Sequence, residues 1–98
     1  GEPVPSEPFV ISVYGPDRND IVATFSHIFG AQQINISSMR AFPIGEGSSM
    51  QVFEVSIPTD LDTRSLHRVL LERAKSLGLS LTMQHRDIFE AVHRVTVI

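Results

Sequence analysis

The sequence predicts an α+β domain of the ferredoxin-like class, a βαββαβ chain. Its four-stranded antiparallel sheet carries two helices on one face, and a short C-terminal helical extension follows. Three observations predict it: four segments alternate apolar and polar residues with period two, two others carry apolar stripes at helical spacing, and the two kinds occur in split-βαβ order. Two amphipathic helices can cover only one side of such a sheet. Ser12, Tyr14, Ser37, Met39, Val52, Glu54, Ser56, Ser80 and Thr82 are expected on the other side, a mixture suited to water or to a partner.

From Phe9 to Tyr14 the residues alternate, with Phe9, Ile11 and Val13 on the core side of a first strand. The loop GPDRND, residues 15–20, leads into a helix whose stripe is Ile21, Val22, Phe25, Ile28 and Phe29. Asn19 or Asp17 is available as its N-cap, and Gly30 is placed to end it. A second strand runs around residues 34–42, with Ile34 and Ile36 pointing the same way. Pro43 and IGEGSS close it, which predicts a hairpin loop longer than two residues. The third strand, residues 50–57, turns Phe53, Val55 and Ile57 to the core and stops at Pro58. Asp62 caps a second helix with the stripe Leu66, Val69, Leu70, Ala74 and Leu77, stopped by Gly78. Leu79, Leu81 and Met83 alternate as the fourth strand. The tail, residues 85–98, is expected to form a helix over about 87–93, packed back on the domain through Ile88, Phe89 and Val92, and then an edge segment.

A chain of 98 residues forms one domain and buries roughly 60–70% of its unfolded surface without staples. The absence of cysteine excludes disulfides and thiolate chemistry and permits a reducing compartment, here expected to be the cytoplasm. A net charge of −3 gives no electrostatic reason for direct nucleic-acid contact. No apolar run is long enough to span a membrane, and GEPVPSEP has neither the basic start nor the apolar stretch of a signal peptide. Pro3, Pro5 and Pro8 make residues 1–8 an extended, poorly packed lead-in. The chain opens on glycine rather than methionine, which suggests a processed chain or a piece of a longer protein, the second being expected.

The loop is the candidate site. Unpaired amides at a helix N-terminus and the helix dipole suit a carboxylate. The ammonium of an amino acid needs an acceptor, for which Asp17, loop carbonyls and Asn35 are candidates. The alternative is that Asp17 and Asn19 only cap the helix while Arg18 stays solvated. His85, Asp87, Glu90 and His93 invite a metal reading, but no HExxH motif, close histidine pair or cysteine supports one, and a solvated polar face is expected. Ser48 and Ser49 lack a Gly-x-Ser-x-Gly setting, Asp60 and Asp62 flank a helix start, and Gly45 and Gly47 are no dinucleotide loop. No catalytic constellation, metal or cofactor is expected.

The succession strand–GPDRND–helix–INI resembles the ACT domain family, whose members typically read G-x-D-R-x-G-hydrophobic after the first strand. Gly15, Asp17, Arg18 and Ile21 match, as does Asn35 between Ile34 and Ile36, whereas Asp20 stands where many members have glycine. The resemblance covers residues 9–84. EGSSMQVFEVSIPTDLDTRSL further resembles the second ACT domain of glycine cleavage system transcriptional repressor-like proteins. QHRDIFEAVHR is similar to the ending of small stand-alone ACT proteins.

The resemblance implies ligand binding without catalysis. A small amino acid, of the glycine or serine class, is expected on Gly15, Pro16, Asp17, Arg18, Asn19, Asp20, Ile21 and Asn35. It would sit between two domains associated through sheet edges, as a homodimer or a tandem pair, with residues 1–8 as linker. The regulated partner would be a DNA-binding protein. The rival readings are a ligand-free dimerisation or docking module, and the regulatory appendage of an enzyme such as phosphoserine phosphatase or formyltetrahydrofolate deformylase.

Overall fold

A computed structural model describes residues 4–95, with side chains described as far as Val92. The elements are β1 (Ser6–Pro16), α1 (Ile21–Ala31), β2 (Asn35–Gly45), β3 (Ser48–Pro58), α2 (Thr63–Ser76), β4 (Ser80–His85) and α3 (Arg86–Val95). The sheet order is β2-β3-β1-β4, with every neighbouring pair antiparallel, so β2 and β4 are its edges. This is the predicted fold.

One apolar core lies between the sheet and α1 and α2. Ile11 and Val13 of β1, Phe53, Val55 and Ile57 of β3, and Leu81 of β4 meet Ile21, Phe25 and Phe29 of α1 and Leu66, Leu70 and Ala74 of α2. Phe29 and Phe53 pack edge-on, with ring centroids 5.3 Å apart. Ile34 is buried and Ile36 packs against the same cluster. Val22 and Val69, expected in the helical stripes, are exposed instead.

Several boundaries differ from the sequence reading, each for a physical reason. β1 begins at Ser6, and Pro8 is tolerated there because β4 reaches only as far as Phe9. Pro5 is fastened as well, its carbonyl accepting from the Thr59 amide at 3.0 Å. Pro43 does not end β2, since an edge strand has no ladder partner on its outer side to lose. The strands continue to Gly45 and resume at Ser48, leaving only the two-residue turn Glu46–Gly47. The hairpin loop is therefore shorter than expected, and Gly47 supplies the positive φ of +68° that such a turn requires. Gly30 lies inside α1, which ends one residue later, and Gln33 takes the left-handed conformation at φ 58°.

A register shift between Ile36 and Ser38 exchanges the faces of the rest of β2. Met39 stands opposite Phe53, on the helix side, and not on the open side as alternation predicts. Arg40 and Phe42 take the open side, opposite Val52 and Met50. The tail helix is longer than expected, and it packs against β1 and β4. Phe89 lies with Ser12 and Tyr14, so α3 sits on the sheet face away from α1 and α2. Ile88 and Val92, expected to pack inward, remain exposed. The expected edge segment after α3 falls largely outside the described residues.

Asp62 caps α2 as predicted, accepting from the amides of Arg64 at 3.0 Å and Ser65 at 3.3 Å, and from the Ser65 hydroxyl at 3.0 Å. The Ser65 hydroxyl, aided by these amides, holds the Asp62 carboxyl below its ordinary range. A carboxyl depressed in the folded state stabilises fully above its unfolded value, and the effect is lost as pH falls through the folded value. Asp62→Ala should therefore melt below the wild type at neutral pH, with a gap that narrows as pH drops below about 4. Melting curves across pH check this, and a constant gap would contradict the charged cap. Gly15, at φ +147°, has Leu79 Cδ2 3.0 Å and the Gly78 carbonyl 3.3 Å from the position of an added Cβ. Gly15→Ala should cost about 1–3 kcal/mol in urea unfolding, because strain and crowding coincide.

Candidate functional site

β1 leaves the sheet at Gly15 and Pro16, which stand opposite Ser49 and Ser48 of β3. The following residue is tied down twice. The Asp17 amide donates to the Gly47 carbonyl at 2.8 Å, and the Asp17 carboxylate accepts from the Ser49 hydroxyl at 2.9 Å. Ser49 in turn accepts from the Gln51 side-chain amide at 3.3 Å. A directed chain therefore runs from Gln51 through Ser49 to Asp17.

Gln51 is only 6% exposed, on the helix side of β3 between Val13 and Ala41. Its Oε1 is buried with no hydrogen-bond partner among the described residues. A buried carbonyl oxygen left unsatisfied costs about 1–3 kcal/mol. Sequence reasoning missed both Ser49 and Gln51 as members of this cluster. The signal was their even spacing along β3 toward the hairpin end, where a glutamine at a core-facing position is out of place.

The rest of the loop leads to α1. Its N-cap is Asp20, not Asp17 or Asn19, and no side chain among the described residues caps the helix. The Asp20 carboxylate is engaged by Arg18, with Nε 2.8 Å from Oδ1 and Nη2 3.0 Å from Oδ2. This bidentate contact holds the Asp20 carboxyl below its ordinary range and raises the guanidinium, which stays partly solvated while it pairs. The first intrahelical bond runs from the Thr24 amide to the Asp20 carbonyl at 2.9 Å. The amides of Ile21, Val22 and Ala23 are left without an acceptor among the described residues. Asn19 is exposed.

Asn35 lies elsewhere. It opens β2 beside Ser56, whereas Gly15 stands beside Ser49, so seven residue steps of β3 separate them, roughly 23 Å at about 3.3 Å each. A single chain thus gathers Gly15 to Ile21 at one end of the sheet and puts Asn35 at the other. Three cavities of the single chain also lie elsewhere, including one of about 200 Å³ beside Ile28, Leu61 and Val69 and one of about 490 Å³ on the open sheet face.

The tail histidine is structurally engaged. His85 Nδ1 accepts from the Asp87 amide at 3.1 Å, which leaves Nε2 to donate to Glu7 Oε2 at 2.9 Å. Its ring packs edge-on against Phe9 at 5.3 Å. Among the described residues, no three His, Asp or Glu side chains are grouped to hold a metal. His93 has no described side chain.

These features define a class: a small ferredoxin-like domain that offers backbone amides and hydrogen-bonding side chains at one helix end. The ACT domain profile matches residues 7–84, and the chain belongs to the ACT domain family, a regulatory fold built to bind small ligands. A UPF0237 protein of Pyrobaculum aerophilum is 31% identical over 86 residues, covering 88% of this chain and 96% of the relative. An ACT domain protein from Streptococcus pneumoniae superposes with a TM-score of 0.75 at 22% identity, covering 88% of this chain and 97% of that one. A protein provisionally named a glycine cleavage system transcriptional repressor gives 0.75 at 14% identity, covering 86% of this chain and 49% of that one. No described helix is long and apolar enough to cross a membrane.

Gln51→Met keeps the length of the side chain and removes the orphaned oxygen. In the ligand-free protein it should be neutral or raise the unfolding free energy by about 1 kcal/mol, because one long neutral hydrogen bond is lost and one unsatisfied acceptor disappears. Urea denaturation checks this, and a loss of more than about 2 kcal/mol would mean that the oxygen is satisfied.

Proposed function

We propose that this domain is a regulatory sensor for a small amino acid of the glycine or serine class, acting on a partner protein. The observation that carries the reading is the uncapped amino end of α1, reached through a loop whose Asp17 carboxylate is held by Ser49 with Gln51 behind it. A ligand carboxylate would take the amides of Ile21, Val22 and Ala23, where the helix dipole adds attraction. Its ammonium would meet the exposed Asp17 carboxylate, already oriented by Ser49, which Gln51 braces from inside. Arg18 offsets the charge of Asp20, so the departure from glycine at that position does not repel the ligand carboxylate.

The distance to Asn35 calls for a second domain. β2 is a sheet edge, and a two-fold pairing of β2 with its equivalent would run antiparallel. Asn35 of one domain would then approach Gly45 of the other, the end to which the loop is fastened through Gly47. Such a seat has one wall from each copy, or from each domain of a tandem pair, and binding favours the paired arrangement because only differential affinity shifts an equilibrium. A DNA-binding partner in the cytoplasm would suit this acidic, cysteine-free chain.

A thermal-shift panel of free amino acids tests the reading. Glycine or serine at 100 times its dissociation constant should add about 2.7 kcal/mol of apparent stability. Asp17→Ala and Asn35→Ala should abolish that response while each chain still folds. If the wild type responds to none of the amino acids at millimolar concentration, a ligand-free dimerisation or docking module is the better account.

A further inference from the structure

The open face of the sheet carries a second site, built from groups the loop does not use. Its groove, of about 490 Å³, lies in the size range of small-molecule pockets. Met50 and Val52 make an apolar floor, with Phe42 of β2 on one side and Phe89 of α3 on the other. α3 therefore gives this face a wall that a bare four-stranded sheet lacks.

Two polar features point into the groove. Arg40 projects from the β2 side and forms no ion pair or hydrogen bond with any described residue. Glu54, one residue pair further along this face, is not its partner. Ser12 is only 8% exposed, yet its hydroxyl has no hydrogen-bond partner among the described residues. Gln51 Oε1 is the wholly enclosed side-chain atom without a partner among those residues, so the Ser12 oxygen keeps access to the groove it lines. A buried hydroxyl of this kind calls for a ligand or water.

We infer that this groove binds an organic carboxylate with a flat apolar body, separately from any ligand at the loop. The guanidinium of Arg40 supplies a two-pronged contact to the carboxylate. Ser12 and Tyr14 offer hydroxyls to the polar edge, and the body lies on Met50 and Val52 between the two phenylalanines. The register shift in β2 is what makes this site, because without it Arg40 would face the helices.

The test uses the intact chain, 3-phenylpropionate, and the uncharged 3-phenylpropionamide, followed by amide NMR titration. The acid should shift Ser12, Tyr14, Thr82 and Gln84 and bind about ten-fold more tightly than the amide. Arg40→Gln, a substitution at an exposed position, should remove that preference, and Ser12→Ala should weaken the acid several-fold. The inference is overturned by absent binding, by equal affinity for acid and amide in the wild type, by an Arg40→Gln variant that keeps the preference, or by shifts confined to residues 15–23. Open-face shifts that follow protein concentration without any probe would also overturn it, and would assign the face to a second copy of the chain.

Discussion

Asp17 is fastened to the hairpin end of β3 by its amide and by its carboxylate, and the character of the helix end beyond it follows from that fastening. The carboxylate that the loop offers as a natural cap is taken by Ser49. Asp20, which sits at the capping position, is taken by Arg18. A helix cap is worth about 0.5–2 kcal/mol, and two nearby acidic side chains forgo it. Both ties leave the amides of the first turn turned outward while keeping the loop ordered. The same chain of hydrogen bonds continues inward to Gln51 and ends on an oxygen with no donor among the described residues. An open donor cluster and an oriented carboxylate thus stand at one end of the sheet, the two groups that the proposed amino-acid ligand would use.

Register governs the remainder. One shift in β2 sends Met39 to the helices and Arg40 and Phe42 to the open face, so two faces with different chemistry arise from one edge strand. The helix side is closed by the core, and the buried polar side chains on it, Ser49 and Gln51, lie toward the loop end. The open side is partly covered by α3, whose Phe89 lies over the sheet while Ile88 and Val92 remain exposed.

The fold was legible because its cues are periodic and mutually consistent: Ile11 and Val13 alternate, Phe25 and Phe29 repeat by four, and Asp62 precedes a helix it does cap. The missed features depend on tertiary position. Pro43 reads as a terminator until β2 is known to be an edge, and Gly45 and Gly47 read as a long loop until the strands are seen to reach them. Nothing local in Ser37 announces a bulge, yet it decides the faces of the six residues after it, Ser38 to Pro43. At the candidate site, Gly15 to Ile21 could be singled out from sequence because they are contiguous and stand before a helix. Ser49 and Gln51 were not, since they reach the loop only through strand pairing across thirty residues of chain, and no sequence motif in a monomer relates Asn35 to a loop at the far end of the sheet.

The central claim is that the first turn of α1 and the Asp17 carboxylate, braced through Ser49 by the side-chain amide of Gln51, act as one seat. It is tested most directly by following the backbone amides of Ile21, Val22 and Ala23 and the Gln51 side-chain amide by NMR while glycine or serine is added. All four should move together along one binding curve, with slowed solvent exchange at the helix amides. Amides that stay fixed at saturating amino acid, or that move while Gln51 does not respond, would contradict the account.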